Sequence, residues 1–374
     1  MIHRAKGIYS RQARVNTPEG TYEEGFGRQG FAGPQAVLYR RHRTTDWTRI
    51  EGPLRPRAFR TDDITSDDAT RSEGLPVELL YNDDVRISVS RRQDSMPFFF
   101  RNADGDELHF IHQGQGQLEC DFGVLAVEPG DYVLIPKGTN YRFVYTTAEN
   151  FSLILESRAP LGFPDRGLIG QHAPFDFTLL ETPEPAPVPE SDGEEWELRI
   201  KRGSQYTSVF YDFNPMDVVG WHGSLSVVKL NVRDFRILMS DRIHLPPSAH
   251  TTFAASGVAV CTFTPRPAEG DPTTNRTPMY HRNIDYDEVF FTHSAGAGAR
   301  PEGILTLNPA GLHHGPLPGV IEASRANWTK DARLEFTAIN IDTERPLEMT
   351  EAAMGLEIPD YYTKWIPESS AATL

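Results

Sequence analysis

The chain has 374 residues, enough for one large domain or two medium ones with a substantial core. Its formal net charge of −15 offers no broad basic surface for a phosphate backbone, which argues against nucleic acid as a partner despite the local run Arg40-Arg41-His42-Arg43. The start lacks an apolar h-region and no segment approaches about 18 consecutive apolar residues, so neither secretion nor a membrane partner is indicated, and the cytoplasm is the expected location.

With 29 prolines, 30 glycines and 10% aromatics, the composition suits short strands and tight turns, and an all-β architecture is expected. Cys120 and Cys261 lie in apolar alternating segments, as buried thiols of a reducing compartment do.

Taken in order, residues 1 to about 95 mix apolar runs with turn signals such as Pro18-Glu19-Gly20, Gly52-Pro53 and Asn82-Asp83-Asp84. Strands are expected near 36–40, 78–81 and 85–90, with a surface loop from Thr61 to Glu73. From Pro97 to Ser157 six short strand candidates follow, Glu107–His112, Gly116–Asp121, Val124–Val127, Tyr132–Ile135, Tyr141–Tyr145 and Ser152–Glu156, the sequence form of a jelly-roll barrel.

Residues Glu181 to Glu195 hold four prolines and five glutamates, a composition that reads as an exposed linker over 181–196. Strand-like segments resume at Glu197–Lys201 and continue through Val209–Phe213, Val227–Leu230, Val258–Phe263, Val289–Thr292 and Ile304–Leu307, implying a second barrel over 197–346. The first barrel falls within 1–180. A tail over 347–374 carries one helical candidate, Thr350–Leu356, and an aromatic cluster from Tyr361 to Trp365 that packs on a neighbouring surface.

The two halves are related. At an offset of 181 residues, Arg101-Asn102-Ala103-Asp104-Gly105-Asp106-Glu107 falls on Arg282-Asn283-Ile284-Asp285-Tyr286-Asp287-Glu288, and His112 falls on His293. Further on, an offset of 173 places Gly130, Pro136 and Gly138 on Gly303, Pro309 and Gly311. The chain reads as a duplication. Where the second copy has His281 and His314, the first has Phe100 and Tyr141. The paired replacement is explained if the two histidines hold one metal ion together with a carboxylate, since losing one removes the reason for the other.

This pattern resembles the cupin superfamily. Gly303-x5-Pro309-x-Gly311-x2-His314 fits its second motif, and His281-x-Asn283-x4-Glu288 fits its first with Asn283 in place of a second histidine. The resemblance implies the ligand set His281, Glu288 and His314 and a bicupin whose first barrel is structural. It selects Glu288 over the adjacent Asp287 by spacing. Two imidazoles and a carboxylate with open positions suit Fe(II).

The chain more particularly resembles the homogentisate 1,2-dioxygenase family. The residues that carry this are Asn214-Pro215-Met216-Asp217-Val218-Val219-Gly220-Trp221, Arg242-Ile243-His244-Leu245-Pro246-Pro247, Tyr280-His281-Arg282-Asn283 and His314-Gly315-Pro316, with Arg28-Gln29-Gly30-Phe31, Gly52 to Arg57 and Asn102 to Asp106 in the first half.

The resemblance implies Fe(II)-dependent ring cleavage of homogentisate by O2 to maleylacetoacetate, His244 in the catalytic acid/base or hydrogen-bonding role, and a trimer or hexamer. Beside the ligand set, Tyr280 is a substrate-binding candidate or an outer-face packing residue, and His313, which alternation puts on the face opposite His314, is a candidate to line the pocket or is solvated. An extra residue between His281 and Glu288 and a shorter chain set this sequence apart from better-known members and leave a related hydroquinone-type acid open as the substrate. Two other classes compete: a non-catalytic bicupin used for binding or storage, and an oxygen-independent cupin isomerase or hydrolase. Retention of the ligand set in the second copy argues against the first, and Asn283 against the second.

Overall fold

The computed structural model describes residues 4–187, 193–296 and 301–367. Almost all its regular structure is β, arranged as two barrels of two facing sheets each. The first barrel joins a seven-stranded sheet (228–231, 131–135, 106–113, 151–157, 85–90, 77–81, 348–349) to a six-stranded one (205–211, 196–202, 99–102, 140–145, 116–120, 123–127). The second joins a six-stranded sheet (251–255, 258–263, 337–343, 287–294, 304–308, 57–60) to a four-stranded one (35–40, 22–27, 280–283, 313–314).

Strand alternation sorts the side chains. In Asp287–Ser294, Val289 and Phe291 face the other barrel, which sends Glu288 and Phe290 into their own. The seven-stranded sheet of the first barrel and the six-stranded sheet of the second therefore pack against each other through Phe110, Tyr132, Leu153 and Leu155 from one and Val260, Phe291, Ile339 and Ile341 from the other. Each such side chain, fully withdrawn from water, contributes about 1.5–3 kcal/mol. A gap of about 10 Å³ lies among Leu108, Phe110, Tyr132, Leu153, Leu155, Val260, Ile339 and Ile341.

His112 and His293, which the internal repeat aligns, meet at this contact with their Nδ1 atoms 2.8 Å apart, so one ring donates and the other accepts. Phe110, Phe151 and Phe291 surround them edge-on.

The strand pairing crosses the boundaries expected from the sequence. Tyr22–Gly27 and Arg57–Arg60 add to the second barrel, the first by parallel pairing with Tyr280–Asn283 and the second by antiparallel pairing with Ile304–Asn308. In exchange, Trp196–Arg202, Gln205–Tyr211 and Val228–Asn231 complete the first barrel. Neither barrel is a continuous segment, because open sheet edges in each are closed by strands from the other half of the chain.

Two further expectations are corrected. The acidic stretch after Glu181 is not wholly free: Glu181 bridges Lys229, and Glu184 exchanges two backbone hydrogen bonds with Val124 at a sheet edge; residues 188–192 of the expected linker lie outside the described residues. The stretch Thr61 to Glu73 is not a plain surface loop, since Thr61 and Asp68 are buried and Asp68 accepts hydrogen bonds from Ser66 and Ser90. The tail does pack as expected: its helix Glu351–Leu356 is capped by Thr350, and Trp365 is buried and donates to the Gly315 carbonyl at 3.1 Å.

Burial holds the His112 pKa down to about 3 and the His293 pKa down to about 4, with the neighbouring ring adding to the effect on His112. In the unfolded chain both titrate near 6.5, so the unfolded state takes up protons first as pH falls. Stability contributed by this pair is fully present above pH 6.5 and declines below it, with a slope of about 1.4 kcal/mol per pH unit for each histidine until about pH 4. Urea denaturation at pH 7 and pH 5 should show a smaller acid loss in a His112→Leu/His293→Leu variant than in the parent. Equal losses would contradict this role for the pair.

Candidate metal centre

The second barrel's four-stranded sheet places the two histidines. Its antiparallel register sets His281 directly opposite His314 and Arg282 opposite His313, so one pair points into the barrel and the other out of it. The imidazoles of His281 and His314 lie with ring centroids 4.0 Å apart. Glu288 reaches them from the facing sheet, its Oε2 lying 3.3 Å from His314 Nε2 and 4.0 Å from His281 Nε2. One donor atom from each of the three residues lies within 4.8 Å of the others.

The residues fit a metal ion. The His281 Nδ1–H donates to the Met279 carbonyl at 2.9 Å, which fixes the tautomer and leaves the Nε2 lone pair facing the cluster. That Nε2 is buried and has no hydrogen-bond partner. A buried acceptor left unpaired costs about 1–3 kcal/mol, a cost that a coordinated cation removes. Two donors bonded to one ion at about 2.0–2.2 Å stand at most about 4.4 Å apart, and the 3.3 and 4.0 Å separations from Glu288 lie within that limit.

The electrostatics favour the ligating forms. Burial, with His314 adding to it, lowers the His281 pKa and keeps the ring neutral. Burial alone would raise the Glu288 pKa, but His314 and His281 outweigh it and hold the carboxyl well below its ordinary value. Asn308 Nδ2 donates to the other Glu288 oxygen at 3.3 Å.

Opposite Glu288 in the sheet lies Asp342, whose pKa is pushed well above the ordinary range by burial and by the Glu288 charge. Asn340 donates to it at 3.0 Å. Asp287 faces elsewhere: its two oxygens accept from the backbone N–H groups of Ala310 and Leu347 at 2.7 and 2.8 Å, so it ties the turn after strand 304–308 and the start of the tail to its own strand.

The expected substrate-binding positions of Tyr280 and His313 are corrected by the same alternation. Tyr280 is buried on the outer face of the sheet against Tyr22. His313 Nε2 hydrogen-bonds Glu24 Oε1 at 2.9 Å, and this wholly buried carboxylate also binds Arg40 at 2.6 Å. Both side chains tie the amino-terminal hairpin to the barrel.

That hairpin reaches the inner face as well. Gly25 pairs with His281, and a Cβ there would stand 2.4 Å from Met279 Cε and 3.1 Å from the Phe31 ring. Phe31 contacts the His281 imidazole edge-on at 5.4 Å, and Arg28 bonds Asp285 at 2.7 Å. The Arg28-Gln29-Gly30-Phe31 segment thus braces the second barrel's site, not the first barrel.

His244 is nearly buried, with its Nδ1 2.7 Å from Glu269 Oε1. Burial works to raise the Glu269 pKa, but the hydrogen bond and charge of His244, with Arg266, hold it below the ordinary value. Nearby, His250 packs on Phe263 at 4.8 Å, and Phe263 on Phe290, which shares the inner face with Glu288. The ring contacts thus connect the His244 loop to the barrel interior. Glu269, His250, Asn308 and Asp342 escaped sequence reasoning. The one available signal was Asn340 and Asp342 alternating as polar residues with the isoleucines of an apolar strand.

The first barrel repeats the same geometry with other side chains. Phe100 stands opposite Tyr141 as His281 stands opposite His314, and the Tyr141 hydroxyl donates to Glu107 at 2.7 Å. Among the described residues, His281, Glu288 and His314 form the one cluster of three metal-ligating side chains of the His, Cys, Asp and Glu types.

Residues 71–232 match the family model described as Homogentisate 1,2-dioxygenase N-terminal. A proposed dioxygenase of Saccharolobus solfataricus is 30% identical over 362 residues, covering 92% of each chain. The homogentisate 1,2-dioxygenase of Pseudomonas putida strain GB-1 is 30% identical over 308 residues, covering 75% of this chain and 68% of that protein. The chain spans 59–68% of the length of the homogentisate 1,2-dioxygenases it matches. Among solved structures, a Cupin 2 conserved barrel domain protein from Leptotrichia buccalis aligns with 77% of this chain and 96% of its own, at 10% identity and a TM-score of 0.37. The near full-length relative and the Pseudomonas enzyme place this chain in the homogentisate 1,2-dioxygenase family.

Proposed function

We infer that this chain is an Fe(II)-dependent dioxygenase that opens the ring of homogentisate, or of a closely related hydroquinone-type aromatic acid, with O2. The observation that carries this reading is the His281–Glu288–His314 cluster, two neutral imidazoles and one carboxylate turned inward from facing sheets, with a buried Nε2 lacking any other partner. This donor set suits non-haem iron that leaves positions for a substrate and a gas. When bound, iron supplies Lewis-acid orientation of the reactants and electrons for oxygen chemistry.

The protein's own groups do the rest. Met279 and Asn308 orient His281 and Glu288. Asp342, holding its proton, keeps a second negative charge away from Glu288. His244 is oriented by Glu269 at Nδ1, which leaves Nε2 to exchange a proton with a substrate hydroxyl. Phe263 and Phe290 line the interior with apolar surface that displaces water. Family membership supports an aromatic substrate. The choice of homogentisate follows the named relatives, and the extra residue before Glu288 is why a close analogue shares the proposal.

Adding homogentisate to anaerobically purified, Fe(II)-reconstituted protein should start oxygen consumption when air is admitted, with one O2 used per substrate. Absence of uptake with homogentisate and with a panel of substituted hydroquinone acids would refute the reading. Iron content measured by mass spectrometry should fall at least tenfold in His314→Ala and be unchanged in Tyr141→Phe. The His244→Ala variant should keep its iron while kcat drops by about 10²–10⁴, as for loss of a general acid or base; Glu269→Gln should lower kcat by a smaller factor.

A further inference from the structure

The first barrel, though it lacks the two histidines, is not filled. A cavity of about 120 Å³ lies inside it, lined by side chains of both its sheets. A support barrel has no need of this space: an apolar gap between the barrels, lined by Leu, Phe, Tyr, Val and Ile, holds only about 10 Å³. Interior voids cost stability in proportion to their size, and buried polar groups add to that cost unless paired.

The walls differ in chemistry. Ser88, Ser90 and Ser152 line it from the seven-stranded sheet, where Ser152 pairs with Ser90 in register and the Ser90 hydroxyl, which donates to Asp68, keeps its lone pairs to accept. Phe100, Tyr141 and Phe143 face them from the six-stranded sheet. Between them lies Glu107, which accepts from Tyr141, and 3.9 Å from its Oε2 is the His109 Nε2. His109 is 4% exposed, and this nitrogen has no hydrogen-bond partner.

Most charges of the lining are matched. Arg86 pairs with Glu78 at 2.6 Å and Lys201 with Glu156 at 2.8 Å. The Arg92 guanidinium donates to the carbonyls of Ser72 and Gly74, and its charge is balanced by Asp68, which also lines the cavity. An anionic ligand would therefore meet the carboxylates of Glu107 and Asp68. A neutral ligand with hydroxyl groups could donate to Glu107, which keeps lone pairs beyond the one Tyr141 uses, and could exchange hydrogen bonds with the serines. A cavity of roughly 150 Å³ accommodates a benzene ring, so about 120 Å³ limits the ligand to nothing larger than one six-membered ring.

We propose that the first barrel binds an uncharged monocyclic aromatic diol, its ring against Phe100 and Phe143 and its hydroxyls on Glu107 and the serine wall. This site is separate from the metal centre and stands whether or not the second barrel turns over homogentisate. It would make the degenerate barrel a sensor or holding site for hydroxylated rings without carboxylate arms.

The test is ¹⁹F NMR of fluorohydroquinone titrated with the metal-free full-length chain. Line broadening should saturate, persist in His314→Ala and vanish in Ser88→Phe, which fills the cavity. Ser152→Ala, which removes one hydroxyl without adding bulk, should weaken binding about fivefold and guards against misfolding of the larger variant. Excess glucose should not displace the probe. Failure to bind, displacement by glucose, or binding that survives both serine substitutions but is lost in His314→Ala would overturn the proposal.

Discussion

The constraint on which the molecule depends is the register between Tyr280–Asn283 and His313–His314. It turns His281 and His314 inward and Arg282 and His313 outward. A slip of one residue would exchange the two sets, putting a guanidinium where the triad stands. The register is held from both sides. Inward, Met279 orients His281; outward, Glu24 gathers Arg40, His313 and Arg282. Glu24 belongs to a strand some 250 residues upstream, so the metal centre rests on a pairing made only when the chain folds back across both barrels.

The duplication shows what that pairing is for. In the first barrel the same register survives with Phe100 and Tyr141, and the hydroxyl of Tyr141 satisfies Glu107, the counterpart of Glu288 in the His–Glu–His cluster. Backbone geometry was kept while the chemistry of the interior changed. The two copies remain in contact through His112 and His293, related positions that meet across the barrel interface. One copy came to offer a metal-ligating cluster, and the other kept a polar cavity.

Much of this could be read from the residues. The triad was legible because duplication provided an internal comparison, and alternating strands from Glu107 to Glu156 announced a barrel. The strands closing the second barrel were not. Tyr22–Gly27 carries two glutamates and two glycines, which give no strand signal, and its partner is remote in sequence. The Pro-rich segment after Glu181 looked free because composition does not reveal an edge on which a few residues can bridge. For Tyr280 and His313 the sequence leaves both a pocket role and the opposite face open, and strand alternation together with Tyr22 and Glu24 puts both on the outer face. The His244–Glu269 pair needed the fold, since its members come together across 25 residues of loop and strand.

The central claim is that one iron sits among His281, Glu288 and His314, and that the first barrel holds none. Diffraction from crystals of the iron-loaded chain, recorded on both sides of the iron absorption edge, locates the metal directly. The account predicts one anomalous peak per chain, within bonding distance of all three side chains. A peak beside Glu107 and Tyr141, or none at the second barrel in crystals of protein shown to contain iron, would contradict it.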